Sequence, residues 1–392
     1  MSFANRCAER VRQLQIHGLL RNVHDLKFYD ACHAVDGTGK RLFVACSNDY
    51  LGLRFHADVI SAARGAAKLV GTGAGGARMV TGSNAMCSTF EQELAAFKGS
   101  EAALLFPSGY MANIGLIFAI AGEEDLILSD EKNHASIIDG CRLSRGKTLI
   151  YPHRDVKCVE KLLQINRPTA RDCFIVTDGV FSMGGTIAPL PKLLALAEKF
   201  DAQLIIDDAH GFGVLGIRGR GSLEHFALTM NPRIISVGTC SKALGSLGGF
   251  ICGSTTLVNF LRSSCRQFLC STMLPPASVA AARKSLDLLR QFPAYVQKIK
   301  HLSTVAENIF QKNLIPIGGE THAIFSIPIG DERLATSLAR GLYDKGIYLS
   351  AIRYPTVPMG NALLRLTICA SYDETEFVKA ILEISKFLGH GK

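Results

Sequence analysis

A chain of 392 residues, 48% hydrophobic and 20% charged, is long enough for more than one domain and too apolar for disorder over most of its length. Its 43 Lys and Arg against 34 Asp and Glu leave a formal charge of +9, but no run of five basic residues occurs; the pattern argues against a nucleic-acid footprint and for an enzyme with anionic substrates. Twelve cysteines scattered from Cys7 to Cys369, with no C-x-x-C pair, argue against a disulfide scaffold or a zinc site, and with the polar N-terminus they imply a reducing, cytoplasmic setting.

In chain order, residues 1–46 hold a helical, mixed-charge stretch and then a polar-to-apolar transition at 37–45. Residues 59–69 read as an Ala-rich helix. The following Gly71-Thr-Gly73-Ala-Gly-Gly76 matches a dinucleotide fingerprint in letters only. That fingerprint needs a preceding strand and an acidic residue about 20 positions on, at the end of a second strand. Glu91 and Glu93 sit instead in a helical pattern, so a flexible loop is expected. The apolar stretch 102–122 is broken by Pro107-Ser108-Gly109 and Asn113, which suits a strand, a turn and a helix rather than a membrane span.

From there, short apolar runs recur at 102–106, 126–128, 148–151, 174–176, 203–206 and 234–237, with helix-period segments such as 191–200 between several of them. Strands alternating with helices predict an α/β fold with a large, mostly parallel sheet. A long helical stretch over 281–309 then leads to a smaller C-terminal α/β region. The expected division is an N-terminal segment 1–46, a large domain 47–282 and a small domain 283–392.

In a parallel sheet, ligand groups gather at the carboxyl ends of strands. Lys242 follows the run 234–237 inside a Gly/Ser-rich loop that extends to Gly249, where burial and nearby cations would lower its pKa for Schiff-base chemistry. Asp207-Asp208-Ala209-His210 ends another run. A carboxylate there can pair with a protonated pyridine nitrogen, and strand alternation lets only one of the two aspartates face the site. A helix cap or a metal ligand is the alternative for the pair, although no further carboxylate motif supports a metal. His210 is placed to meet a phenolic oxygen. Ser108-Gly109-Tyr110 precedes a helix whose free N–H groups would hold a phosphate, with Thr239 and Ser241 adding hydroxyls. His134 could stack on a ring. In the small region, Arg353 and Arg365 suit carboxylates, and for Arg365 a structural salt bridge is an equal alternative.

Together with Asn48-Asp49-Tyr50, Thr177-Asp178-Gly179-Val180-Phe181-Ser182 and Thr239-Cys240-Ser241-Lys242, these segments resemble the α-oxoamine synthases over nearly the whole chain. That family consists of fold-type-I pyridoxal-phosphate transferases that join an amino acid to an acyl thioester. The resemblance implies that Lys242 holds pyridoxal 5'-phosphate, that Asp207 pairs with its ring nitrogen, and that His210 and Ser182 address its phenolic oxygen. It further implies that His134 stacks on the ring and that Gly109, Tyr110 and Thr239 surround the phosphate. Ser271 and Thr272 would reach across from a second copy in a homodimer. Arg365 would take the amino-acid carboxylate, and Arg21, Asn48, Arg353 and Thr356 would line the acyl channel. Segments 351–358 and 75–82 most resemble the branch that uses L-alanine and a pimeloyl thioester, on CoA or an acyl carrier protein; glycine with acetyl-CoA is the alternative. Leu363, Tyr372 and Gly184 depart from the usual pattern. An aminotransferase or a catalytically silent protein on the same fold are the competing classes.

Overall fold

The expected apolar runs form six of the seven strands of one sheet. The computed structural model describes residues 1–21, 23–320 and 323–389. The strands are β1 (Ala102–Phe106), β2 (Leu126–Asp130), β3 (Lys147–Tyr151), β4 (Cys173–Asp178), β5 (Gln203–Asp207), β6 (Ile234–Thr239) and β7 (Gly249–Gly253). Their order is β1-β7-β6-β5-β4-β2-β3, and β7 alone runs antiparallel to its neighbours. β7 was not anticipated, since the sequence reads as loop up to Gly249. Glycine is required at that position: a Cβ there would lie 2.4 Å from the Gly109 nitrogen and the Ser108 oxygen.

Alternation along the strands fills both faces of the sheet. Ile127, Val176, Ile205, Ile235, Val237 and Ile251 pack on one face with Leu116 and Ile117 of the helix Gly109–Ile120. Leu126, Leu128, Ile175, Leu204 and Ile206 pack on the other with Leu193 and Leu196. The helices that matter for the site are α1 (Ala85–Lys98), α2 (Gly109–Ile120) and α3 (Ala135–Leu143), each capped at its N-terminus by a side chain: Asn84, Ser108 and His134.

By its contacts the chain divides into two units, one of residues 49–182 and 186–297, the other of residues 1–48, 183–185 and 298–392. The N-terminal segment thus groups with the C-terminal region. In that second unit Arg41–Val44 pairs antiparallel with His33–Asp36 and parallel with Ile347–Tyr348. A second sheet orders Ile324–Gly330, Ala362–Thr367 and Ser350–Ile352 antiparallel. The helical stretch expected over 281–309 is two helices, Pro276–Gln291 and Ala294–Lys312. Pro293 lacks an N–H for the ladder, and Phe292 before it leaves helical geometry at φ −126°, ψ 73°. Among the described residues no helix is long and apolar enough to cross a membrane.

Beneath the carboxyl end of β5, Lys98 at the end of α1 donates to Asp208 at 2.8 Å, with both side chains 1% exposed. Removing one partner of such a pair strands a buried charge. Lys98→Met is expected to lower unfolding free energy by about 3–5 kcal/mol in urea titrations; a loss below about 1 kcal/mol, the range of exposed pairs, would show the pair to be dispensable.

Candidate active site

At the carboxyl ends of β4, β5 and β6 lies a cavity of about 230 Å3, lined among others by Ser108, Gly109, Tyr110, Asn113, His134, Asp178, Asp207, His210, Thr239, Ser241 and Lys242. Strand parity explains the convergence. Val176, Ile205 and Val237 face α2, and two residues further along the same strands Asp178, Asp207 and Thr239 therefore face the same side.

Asp207 is buried, accepting from Asn113 Nδ2 at 2.6 Å and from the Ala209 N–H at 3.0 Å. Asp208 points to the opposite face, where it accepts from Lys98 and from the Ser222 N–H. The choice that alternation left open is thus resolved: Asp207 lines the cavity and Asp208 is structural.

Lys242 Nζ lies 2.8 Å from His210 Nε2, and His210 Nδ1 lies 2.6 Å from the Tyr50 hydroxyl. A proton on Nδ1 lets the imidazole donate to Tyr50 while Nε2 accepts from the lysine ammonium. His134, as the cap of α3, accepts from the Ser136 N–H at 3.3 Å and pairs with the Ser136 hydroxyl at 2.7 Å. Burial holds its pKa below the ordinary imidazole value; Asp207 opposes that and Lys242 reinforces it. The ring is therefore neutral at physiological pH.

The donors suit a phosphorylated pyridine cofactor. In α2 the Ser108 hydroxyl caps Met111 at 3.2 Å, and the Ser108 carbonyl accepts from Ala112 at 3.0 Å. The N–H groups of Gly109 and Tyr110 find no acceptor among the described residues, which leaves two donors at a helix start for an anion. The hydroxyls of Thr239 and Ser241, 2.8 Å apart, line the same cavity. A carboxylate for the ring nitrogen, an amine for Schiff-base attachment and a neutral imidazole complete the set.

Gly109, Tyr110, His134, Asp207, His210, Thr239 and Lys242 are thus brought together as expected. Ser182 is not among the lining side chains, nor are Ser271 and Thr272, the latter bridging to Ala77. In the other unit, Arg365 is 5% exposed on its strand and donates to Asn48 Oδ1 at 3.0 Å. Arg21 donates to Thr356 Oγ1 at 3.1 Å and Arg353 to the Gly18 carbonyl, with burial first and the Arg21 charge second holding the Arg353 pKa down. Tyr372, one of the departures, is buried and donates to the Val44 carbonyl at 2.8 Å, a structural use. Asn113, Asp178 and Tyr50 were not singled out as site residues. For Asp178 the available signal was its place at a strand end, whereas nothing local marks Asn113.

Comparison with known proteins gives the site a context. A family model for aminotransferase class I and II matches residues 41–384. The chain is 40% identical to an 8-amino-7-oxononanoate synthase of Geobacter sulfurreducens, over 97% of each chain. It is similar, at a TM-score of 0.93 and 29% identity, to a serine palmitoyltransferase from S. paucimobilis with a PLP–myriocin aldimine bound, covering 100% of this chain and 99% of that one. An 8-amino-7-oxononanoate synthase from Francisella tularensis matches at a TM-score of 0.76 and 28% identity, over 89% of this chain and 98% of its own.

The depressed His134 pKa has a direct consequence. In the protein without ligand its ring is expected to titrate below 6.5 by NMR. Because folding then disfavours protonation, this residue's contribution to stability is present above pH 6.5 and falls away as pH drops through the lower, folded value. A midpoint at or above 6.5 would contradict the burial argument.

Proposed function

Because the chain belongs to the class I and II aminotransferase family, and within it to the α-oxoamine synthases, we propose that it joins L-alanine to a pimeloyl thioester with loss of carbon dioxide, giving 8-amino-7-oxononanoate and the free thiol, a step of biotin synthesis. The observation that carries the chemistry is the Lys242 amine held 2.8 Å from His210 in a cavity that also contains Asp207. The choice of substrates is supported by full-length relatives of that name at 40% identity from two organisms, G. sulfurreducens and Petrotoga mobilis.

Pyridoxal phosphate, when bound, supplies a protonated ring that takes up the electron pair released at the amino-acid Cα. Around it the chain's own groups divide the work. Lys242 would hold the cofactor through its amine and would serve as the base for the Cα proton. Asp207, held in place by Asn113 and the Ala209 N–H, would keep a proton on the ring nitrogen. His210, braced by Tyr50, supports the lysine and would address the phenolic oxygen with Ser182. Neutral His134 offers a flat face without a competing charge. The N–H groups of Gly109 and Tyr110 and the Thr239 hydroxyl would bind the phosphate.

Arg365, steadied by Asn48, would take the alanine carboxylate, and Arg21, Arg353 and Thr356 the acyl chain. The enzyme would act in the cytoplasm as a homodimer, with Ser271 and Thr272 completing the phosphate site of a second copy. CoA and an acyl carrier protein are both admissible carriers.

Two experiments test this reading. With purified, cofactor-loaded protein, thiol release should be fastest with pimeloyl-CoA and alanine; preference for acetyl-CoA and glycine would move the substrate assignment but keep the chemistry. Asp207→Asn should lower kcat by at least about a hundredfold, the scale of losing one preorganised electrostatic group, while some cofactor remains bound; near-normal turnover would remove Asp207 from its role.

A further inference from the structure

The cavity holds a second carboxyl group that the proposed chemistry does not use. Asp178 closes β4 as Asp207 closes β5, and the two are register partners on neighbouring parallel strands. Both line the cavity, and they are 3% and 7% exposed. Neighbouring strands lie about 4.8 Å apart, so two ionised carboxylates here would repel with little water to screen them.

Hydrogen bonding decides which of them keeps the charge. Asp207 accepts bonds of 2.6 Å and 3.0 Å from Asn113 Nδ2 and the Ala209 N–H. Asp178 accepts one long bond, 3.4 Å, from the His134 N–H. Donors stabilise the ionised form, which assigns the charge to Asp207 and the proton to Asp178. The other groups facing Asp178 divide, with burial and the neighbouring carboxylates on one side. Burial first, then the Asp207 charge, raise its pKa well above the ordinary aspartate value; Asp130 of β2 adds to the rise, and the His134 N–H and Lys242 oppose it. Tyr151 of β3, also near Asp178, has a phenol pushed further toward its neutral form.

Asp178 is tied to the turn that carries His134. Its N–H donates to Asn133 Oδ1 at 2.8 Å, and Asn133 Nδ2 donates to the Val176 carbonyl at 2.8 Å and the Ser129 hydroxyl at 2.9 Å. Side chains from both segments therefore stitch the end of β4 to the start of α3.

We propose that Asp178 is a positioning residue of the cofactor pocket, standing neutral beside charged Asp207 and holding His134 in place through its backbone N–H. The proposal rests on the reading that this cavity takes pyridoxal phosphate. One negative charge then faces the ring nitrogen, and the proton there answers to Asp207 alone. An amide has the shape of the neutral acid and keeps the acceptor for the His134 N–H.

The test compares Asp178→Asn with Asp178→Ala in protein loaded with pyridoxal phosphate. Cofactor Kd is read by fluorescence, and the bound cofactor's visible absorption band is titrated with pH. The Asn variant should hold Kd within about threefold and leave the midpoint of the band unchanged. The Ala variant, losing the hydrogen bond to His134, should weaken Kd roughly tenfold and shift the midpoint. An Asn variant as damaged as Asp207→Asn would overturn the proposal. Should the Asn variant not fold, the wild-type protein decides: its infrared spectrum at neutral pH should contain the carbonyl stretch of a protonated carboxyl group, and absence of that band overturns it. Wild-type protein that bound no pyridoxal phosphate would overturn the functional reading and this proposal with it, whereas a damaged Asn variant overturns this proposal alone.

Discussion

The turn from Asp207 to His210 depends on a buried ion pair that never meets the cavity. Lys98 donates to Asp208 at 2.8 Å and to the Arg220 carbonyl at 2.6 Å, and Asp208 also accepts from the Ser222 N–H. The chain closes tightly over that carboxylate: a Cβ on Gly221, which has φ +103°, would lie 1.8 Å from Asp208 Oδ2. With Asp208 pinned below the sheet, strand alternation turns Asp207 to the opposite face. Asp207 is held toward α2, and His210 is presented to Lys242 from the other end of the same turn.

Two adjacent aspartates thus acquire unrelated physical chemistry. Asp208 is neutralised by a lysine in an apolar setting, where its desolvation would otherwise be costly. Among the described residues Asp207 accepts from an amide and a backbone N–H rather than from such a cation. That leaves its charge available to a ligand. Asp178, next to it in register but poorer in donors, takes the opposite protonation state. Polarity in the pocket is set by hydrogen-bond supply more than by residue type.

The second unit treats its cations differently. Arg365 and Arg353 are committed to an amide and a carbonyl, and Arg21 to a hydroxyl. At Arg353 burial and the Arg21 charge hold the pKa down while the Glu332 carboxylate opposes them. A net charge of +9 over the chain attracts anions at longer range.

Strand-length apolar runs bounded by polar residues were enough to locate β1 to β6, because a strand buried on both faces must be apolar almost throughout. Lys242, Asp207, His210 and the Ser108–Tyr110 turn were legible for a related reason: each sits where a buried strand abruptly turns polar. β7 escaped because its glycines read as loop, although Gly249 is there for close packing against the start of α2. The split of the 281–309 stretch was written in Pro293 but masked by helical periodicity on both sides. Period 2 determined that one aspartate of the pair would face the ligand, but which one depended on Lys98, 110 positions away from Asp208. Asn113 as the partner of Asp207, Tyr50 as the brace of His210 and the proton on Asp178 were likewise decided only by tertiary structure. Protonation and hydrogen-bond partnership depend on what folding brings alongside a residue, and local sequence carries no record of neighbours tens of residues away.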